Sequence, residues 1–295
     1  MKNLFEHIST NWIRYSKYEL LEDRYKLQYV VPAKDAQPEF YNPLAEAEDM
    51  VVNALNIGMM CLSEKPENDI QDTIMDFISH YGLLGFMTAL CTTTSFINQD
   101  AVYLIPNRHI KKKQMKVKDY LDLFFPFEKP DFIRRGRESM WSVELNKTAM
   151  ALMMTMGEQP TALNMEFQPY YGERYIWLKR QFKDWAFIFY TSILYYDGKT
   201  IDSEDGKKLL RQGMAAFDGM MPKYHIGLFD KPEIVWDFHS LLLAIQIMFS
   251  FMLVNEKNPM RICEHCSKVF VAKRPNTHFC SHHCKNRHYK YKNKD

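Results

Sequence analysis

Glycine is scarce in this 295-residue chain, with 11 in all, and no tract combines it with proline and serine. That absence excludes a long low-complexity linker, and no segment repeats at a solenoid period. The glycine-built phosphate loops are missing too: neither GxGxxG nor a P-loop occurs, and HExxH and GxSxG are absent. An R-x4–6-H pair of the kind used by metal-free helical ribonucleases is also lacking, because Arg261/His265 and Arg274/His278 stand one residue too close. Enzymatic activity is therefore not the expectation. The opening MKNLFEHISTNWIRYSKYELLEDRYK has no apolar core or small-residue cleavage site of an export signal, so a cytoplasmic location is expected. In that compartment close cysteine pairs favour metal over disulfide.

Long apolar runs are nearly absent. IVWDFHSLLLAIQIMFSFMLV, residues 234–254, is long enough to span a bilayer, but Asp237, His239 and Gln246 interrupt it. Burying three polar groups in lipid is costly, so the expected structure is a core helix with no membrane partner.

A hydrophobic fraction of 46% is ordinary for a folded protein, and the length allows one main domain plus a small module. The first 43 residues mix polar and aromatic positions. KLQYVVP reads as a short strand, QPEFYNP as a loop and AVYLIP as a second strand. From Leu44 helical spacing dominates. Met50, Ala54, Ile57 and Cys61 share one face, as do Ile70, Ile74, Phe77 and Ile78, which makes Cys61 a buried apolar residue. VELNKTAMALMMTM, ERYIWLKRQFKDWAFIFYTSILYY, DSEDGKKLLRQGMAAF and the segment from Pro232 read as further helices, with Asp202 or Ser203 capping the third. YYDGKTIDSEDG is a turn and cap, not a calcium loop, because Lys199 stands where a third oxygen ligand is needed. Glu46, Asp49, Asp72 and Asp76 read as exposed helix faces. The expected fold is mostly α: a large helical domain over 1–258 with a few short strands, then a small module over 259–295.

That module reads RICEHCSKVFVAKRPNTHFCSHHCKNRHYKYKNKD from Arg261. It holds four of the six cysteines and nine Lys/Arg against Glu264 and Asp295, while Cys61 and Cys91 stand alone. The spacing C-x2-C-x13-C-x3-C, formed by Cys263, Cys266, Cys280 and Cys284, suits one tetrahedral zinc ion held by four thiolates. Ser281 caps a helix from His282, which puts Cys284 in its first turn, and SKVFVAKRPNTHF reads as a hairpin turning at RPN. Knuckle, hairpin and helix together describe a treble-clef zinc finger. A histidine in the shell, iron in place of zinc, a redox C-x2-C and four unrelated thiols remain the alternatives.

Phe279-Cys280-Ser281-His282-His283-Cys284 resembles the FCS-type zinc finger, and Cys284-Lys285-Asn286-Arg287 resembles the CGNR finger of bacterial transcription regulators. In the latter a largely helical domain precedes the finger; Lys285 stands where that family has glycine. The resemblance spans about 35 residues and implies a bacterial regulatory or mobile-element-associated protein.

The residues themselves point to a polyanion. Lys273, Arg274, Lys285, Arg287 and Lys290 suit phosphates, Tyr291 suits base stacking, and Asn286 with Arg287 suits a base edge. The expected partner is DNA or RNA, with a protein partner or homodimer as a further possibility. The alternative is a structural finger in a scaffold protein. RHIKKKQMKVKDYLDLFFPFEKPDFIRRGRESM, residues 108–140, is the other basic concentration and reads as a solvated surface.

Overall fold

The computed structural model describes residues 11–90, 101–104, 107–128, 168–197, 203–215, 223–238, 240–274 and 276–292. Cys91, Lys199, Asp202, His239, the helix expected in VELNKTAMALMMTM and residues 129–140 of the basic segment lie outside that set. In chain order the elements are β1 (Trp12–Tyr15), β2 (Tyr18–Glu22), β3 (Gln28–Pro32), β4 (Pro38–Tyr41), α1 (Ala47–Leu62), α2 (Glu67–Tyr81) and α3 (Phe86–Ala89). β5 (Ala101–Tyr103), β6 (Gln114–Lys116), α4 (Val117–Asp122), β7 (Glu173–Arg174), α5 (Tyr175–Asp197) and α6 (Glu204–Ala215) follow. β8 (Lys223–Leu228), β9 (Pro232–Asp237), α7 (Leu241–Leu253), β10 (Met260–Ile262), β11 (Val269–Val271) and α8 (His282–Lys292) complete the elements of the described residues.

The expectation of a mostly helical protein is corrected by the structure, whose described residues are 49% helix and 20% strand, the strands forming small antiparallel sheets. Two segments account for much of the difference. QPEFYNP is not a loop: Pro38–Tyr41 pairs with β1 in the register Trp12↔Tyr41. The helix expected from Pro232 begins only at Leu241, where Ser240 Oγ accepts the Leu243 N–H at 3.1 Å as its cap. Ahead of it Pro232–Asp237 pairs with β8. Proline at the strand start and the β-branched and aromatic run Ile234-Val235-Trp236 favour that ladder over a helix. Runs this short carry too little periodicity to separate the two. Among the described residues no helix is long and apolar enough to cross a membrane.

The chain divides into two compact units, each assembled from three separated segments. The first comprises Met1–Leu44, Ile78–Leu178 and Pro222–Ala244. Its largest sheet has the order β2-β3-β7, with Tyr29, Val30 and Val31 buried on the central strand. Trp12 Nε1 donates to the Leu83 carbonyl at 3.1 Å and Tyr41 Oη to the Tyr81 carbonyl at 2.8 Å, fixing β1 and β4 against the chain after α2. The same turn is clipped by a buried carboxylate. Glu173 Oε1 accepts from Gly85 N (2.6 Å), Phe86 N (2.9 Å) and Tyr171 Oη (2.6 Å), and Oε2 accepts from Leu84 N (2.9 Å). Gly85 lies at φ +80°, and a Cβ there would meet Trp12 and Ser240 side-chain carbons at 2.8 Å, so this turn accepts only glycine.

The second unit comprises Ala45–Phe77, Lys179–Met221 and Ile245–Asp295, and therefore contains the cysteine-rich segment. The expected faces of α1 and α2 are realised here: Met50, Ala54, Ile57, Cys61, Ile70, Ile74 and Phe77 are all buried. Glu46, Asp49, Asp72 and Asp76 lie on the half-exposed or exposed sides, as solvated carboxylates should. Ser203 Oγ accepts the Gly206 N–H at 3.1 Å and caps α6, with Glu204 and Asp205 in the first turn. Helices α1 and α5 approach closely at Gly58, where a Cβ would stand 2.0 Å from the Phe182 carbonyl oxygen and 2.5 Å from Ala186 Cβ. Gly58→Ala is thus expected to lose about 1–2 kcal/mol of stability, because the gain in helix propensity, about 1 kcal/mol, is smaller than the cost of forcing two backbones apart, about 2–3 kcal/mol at so close an approach. Denaturant unfolding measures the net; a neutral or stabilising result would contradict this packing.

Candidate metal centre

The local sequence around Cys263 makes a tight turn. Ser267 adopts φ +59°, its N–H donates to the Cys263 carbonyl at 2.9 Å, and Cys263 N–H donates to the Lys268 carbonyl at 2.9 Å. A turn this tight brings its two flanks antiparallel, and β10 and β11 pair across it in the register Met260↔Val271, Arg261↔Phe270, Ile262↔Val269. The hairpin therefore folds around the first cysteine pair. The expectation of a hairpin between the pairs, turning at RPN, is corrected: residues 272–279 hold no strand among those described. That stretch instead returns to the knuckle, where Glu264 N–H donates to the His278 carbonyl at 3.1 Å.

The second pair arrives on α8. Ser281 Oγ accepts the Cys284 N–H at 3.2 Å, the expected cap, so the helix starts at His282 with Cys284 in its first turn. The four sulfurs lie within 4.8 Å of one another and could hold one metal ion. Two separations, Cys266–Cys280 at 3.7 Å and Cys280–Cys284 at 3.5 Å, are far beyond a disulfide bond. They match the edge of about 3.8 Å that a tetrahedron of sulfurs at 2.3 Å from zinc would have. Cys263 and Cys284 are buried while Cys266 and Cys280 are exposed, so the cluster sits at the surface. No histidine joins it among the described residues; His278 Nδ1 faces Glu264 Oε1 at 3.0 Å instead.

Protons are shared unequally among these thiols. Burial works against ionising Cys263, but N–H donors from Cys280, Cys266 and His265 outweigh it and bring the thiol down to about 6. Burial and the neighbouring Cys284, Cys266 and Cys263 sulfurs push Cys280 up to about 12. Closely packed sulfurs cannot all carry charge unless a cation sits among them. A dication would displace the remaining protons and satisfy the cluster.

The hairpin is anchored on a helix by one side chain. Asn56 of α1 accepts the Val269 N–H on Oδ1 at 2.7 Å and donates from Nδ2 to the Val269 carbonyl at 3.1 Å. An amide can supply both halves of a strand's hydrogen bonding, so Asn56 acts as a one-residue partner to β11. Nothing in the sequence marks this role, since an asparagine on a helix is ordinarily a solvated residue.

The basic residues singled out from the sequence fall at two places. Lys273 and Arg274 are exposed after β11, and Lys285, Asn286, Arg287 and Lys290 are exposed on α8. The side chain of Tyr291 lies outside the described residues. Phe279, His288 and Tyr289 pack together, with ring centroids 5.0 Å, 6.0 Å and 5.7 Å apart, and brace the helix against the returning loop. In the first unit Arg108, Lys111, Lys112, Lys113 and Lys116 are exposed along the approach to and within β6. No protein-family model, curated protein or solved structure matches this chain.

Proposed function

We propose that residues 259–295 form a treble-clef zinc finger whose helix α8 binds nucleic acid, in a regulatory protein of the cytoplasm. Four thiolates at tetrahedral spacing favour zinc, and a shell of four leaves no position for water, which removes the usual route to catalysis at the metal. The ion's part is to hold knuckle and helix together.

The observation that carries the reading is the exposed basic side of α8. Residues advance by about 100° around a helix, so with Cys284 turned toward the metal, Asn286 lies on the opposite side. Lys285, Tyr289 and Lys290 share that outward half, and Arg287 stands at its flank. The helix contains no acidic residue, so nothing within it offsets the attraction for phosphates. Asn286 is also suited to a base edge.

Changing Lys285, Arg287 and Lys290 together to Ala is expected to lower affinity about 100-fold at moderate salt while zinc content stays at one per chain. Mobility shift against duplex DNA, single-stranded DNA and RNA reads the first quantity and elemental analysis the second. Failure of the zinc-loaded wild type to shift any of them would favour the competing reading, for which the Asn56 clamp speaks: a structural knot closing the second unit.

A further inference from the structure

The β8–β9 ribbon presents its apolar side outward. Strand alternation places Tyr224, Ile226 and Leu228 on one face, and the register Tyr224↔Trp236, Ile226↔Ile234, Leu228↔Pro232 adds three further apolar residues to it. The other face carries His225, Gly227, Glu233 and Val235, of which Val235 is buried. On the outward face Tyr224 is 62% exposed, Ile226 58%, Leu228 84% and Ile234 46%. The apolar set lies outward while only Val235 of the other face is buried, His225 being exposed and Glu233 half-buried there. A shift of one residue in register would have inverted it.

We propose that this face is where a second copy of the chain docks, forming a symmetric dimer through ribbon-on-ribbon packing. The occupant follows from area and self-complementarity. The face belongs to a two-stranded ribbon, and a two-stranded sheet needs a second layer to be stable. A twofold axis across the ribbon at Ile226–Ile234 sets the Tyr224–Trp236 end of one copy on the Leu228–Pro232 end of the other, so the surface is complementary to itself. The exposed apolar area is roughly 500 Å² per copy, at the upper end of patches on ordinary monomers. Two copies would bury about 1,000 Å², the threshold of a specific interface and the range of a reversible, micromolar dimer. This inference is independent of the nucleic-acid reading.

Sedimentation equilibrium of the full-length, zinc-loaded protein tests it. The wild type is expected to dimerise with Kd on the order of 10 µM, and Ile226→Lys and Ile226→Glu each to stay monomeric at ten times that concentration. Mixing the two variants restores a dimer, because each charge then faces its opposite across the twofold; a variant that had failed to fold would not recover. A wild type that is monomeric at about 100 µM, or a dimer that survives both substitutions, overturns the proposal.

Discussion

Cys284→Ser is expected to release the metal and melt the C-terminal part of the second unit, at a cost of at least about 3 kcal/mol. Structural zinc contributes apparent binding free energies on the order of 10 kcal/mol in small fingers, and a serine oxygen is a poor substitute for a thiolate. Cys284 is also buried; its sulfur accepts from Cys280 Sγ at 3.5 Å and its N–H donates to Ser281 Oγ in the first turn of α8. The loss should not stop at the finger. Asn56 carries both hydrogen bonds of Val269 on α1, so melting β11 leaves that amide without its partner strand. Thermal unfolding with and without a strong chelator checks this: chelation should lower the melting temperature of the wild type and leave that of the variant unchanged. The pH dependence has a definite sign. Metal-bound thiols have folded pKa values far below those of the unfolded chain, so their contribution is present at high pH and is lost as pH falls. Zinc affinity should weaken steeply below about pH 6, where even Cys263 takes up its proton. A wild type indifferent to chelator would exclude a metal-built finger.

Glu173→Ala is expected to cost about 3–5 kcal/mol in the first unit, an effect of similar size with a different origin. The wild-type carboxylate is fully buried and accepts from three successive backbone N–H groups and the Tyr171 hydroxyl. Alanine leaves all four donors in a dry site. Glu173→Gln is expected to cost less, about 1–3 kcal/mol, since the amide oxygen can serve Gly85, Phe86 and Tyr171 while its NH2 opposes the Leu84 N–H. Burial raises the Glu173 carboxyl above its ordinary value, against the pull of its hydrogen bonds. A raised folded pKa contributes stability that is complete below the unfolded value and is lost as pH rises through the folded one. Wild-type stability should therefore fall upward from about pH 4.5 by an amount that Glu173→Gln does not show. Denaturant midpoints across that window provide the comparison, and variants within about 0.5 kcal/mol of wild type would contradict the clip.

What the sequence reveals here depends on the range of the physics. Local signals read correctly: Ser203 and Ser281 cap the helices they precede, and the buried stripes of α1 and α2 follow 3.6-residue spacing. The four cysteines meet because C-x2-C and a helix start each present two sulfurs within a few residues. Short strands were harder. Pro38–Tyr41 carries proline and a run too brief to alternate visibly, and the apolar residues of β9 merge with those of α7 into one hydrophobic stretch. Asn56 and Glu173 were not legible at all, since their partners lie 213 and 87 to 89 residues away. The division into units of three segments each is equally invisible to any local pattern.

The central claim, that the metal-organised helix α8 grips phosphates, is tested most directly by the salt dependence of binding. Fluorescence anisotropy of the zinc-loaded wild type on a short duplex, repeated from low to moderate salt, should give a slope of log K against log salt of about −4. The variant carrying Lys285→Ala, Arg287→Ala and Lys290→Ala should give a slope near −1, each lost contact removing about 0.9. Equal slopes for the two proteins, or no binding by the wild type even at low salt, would contradict it.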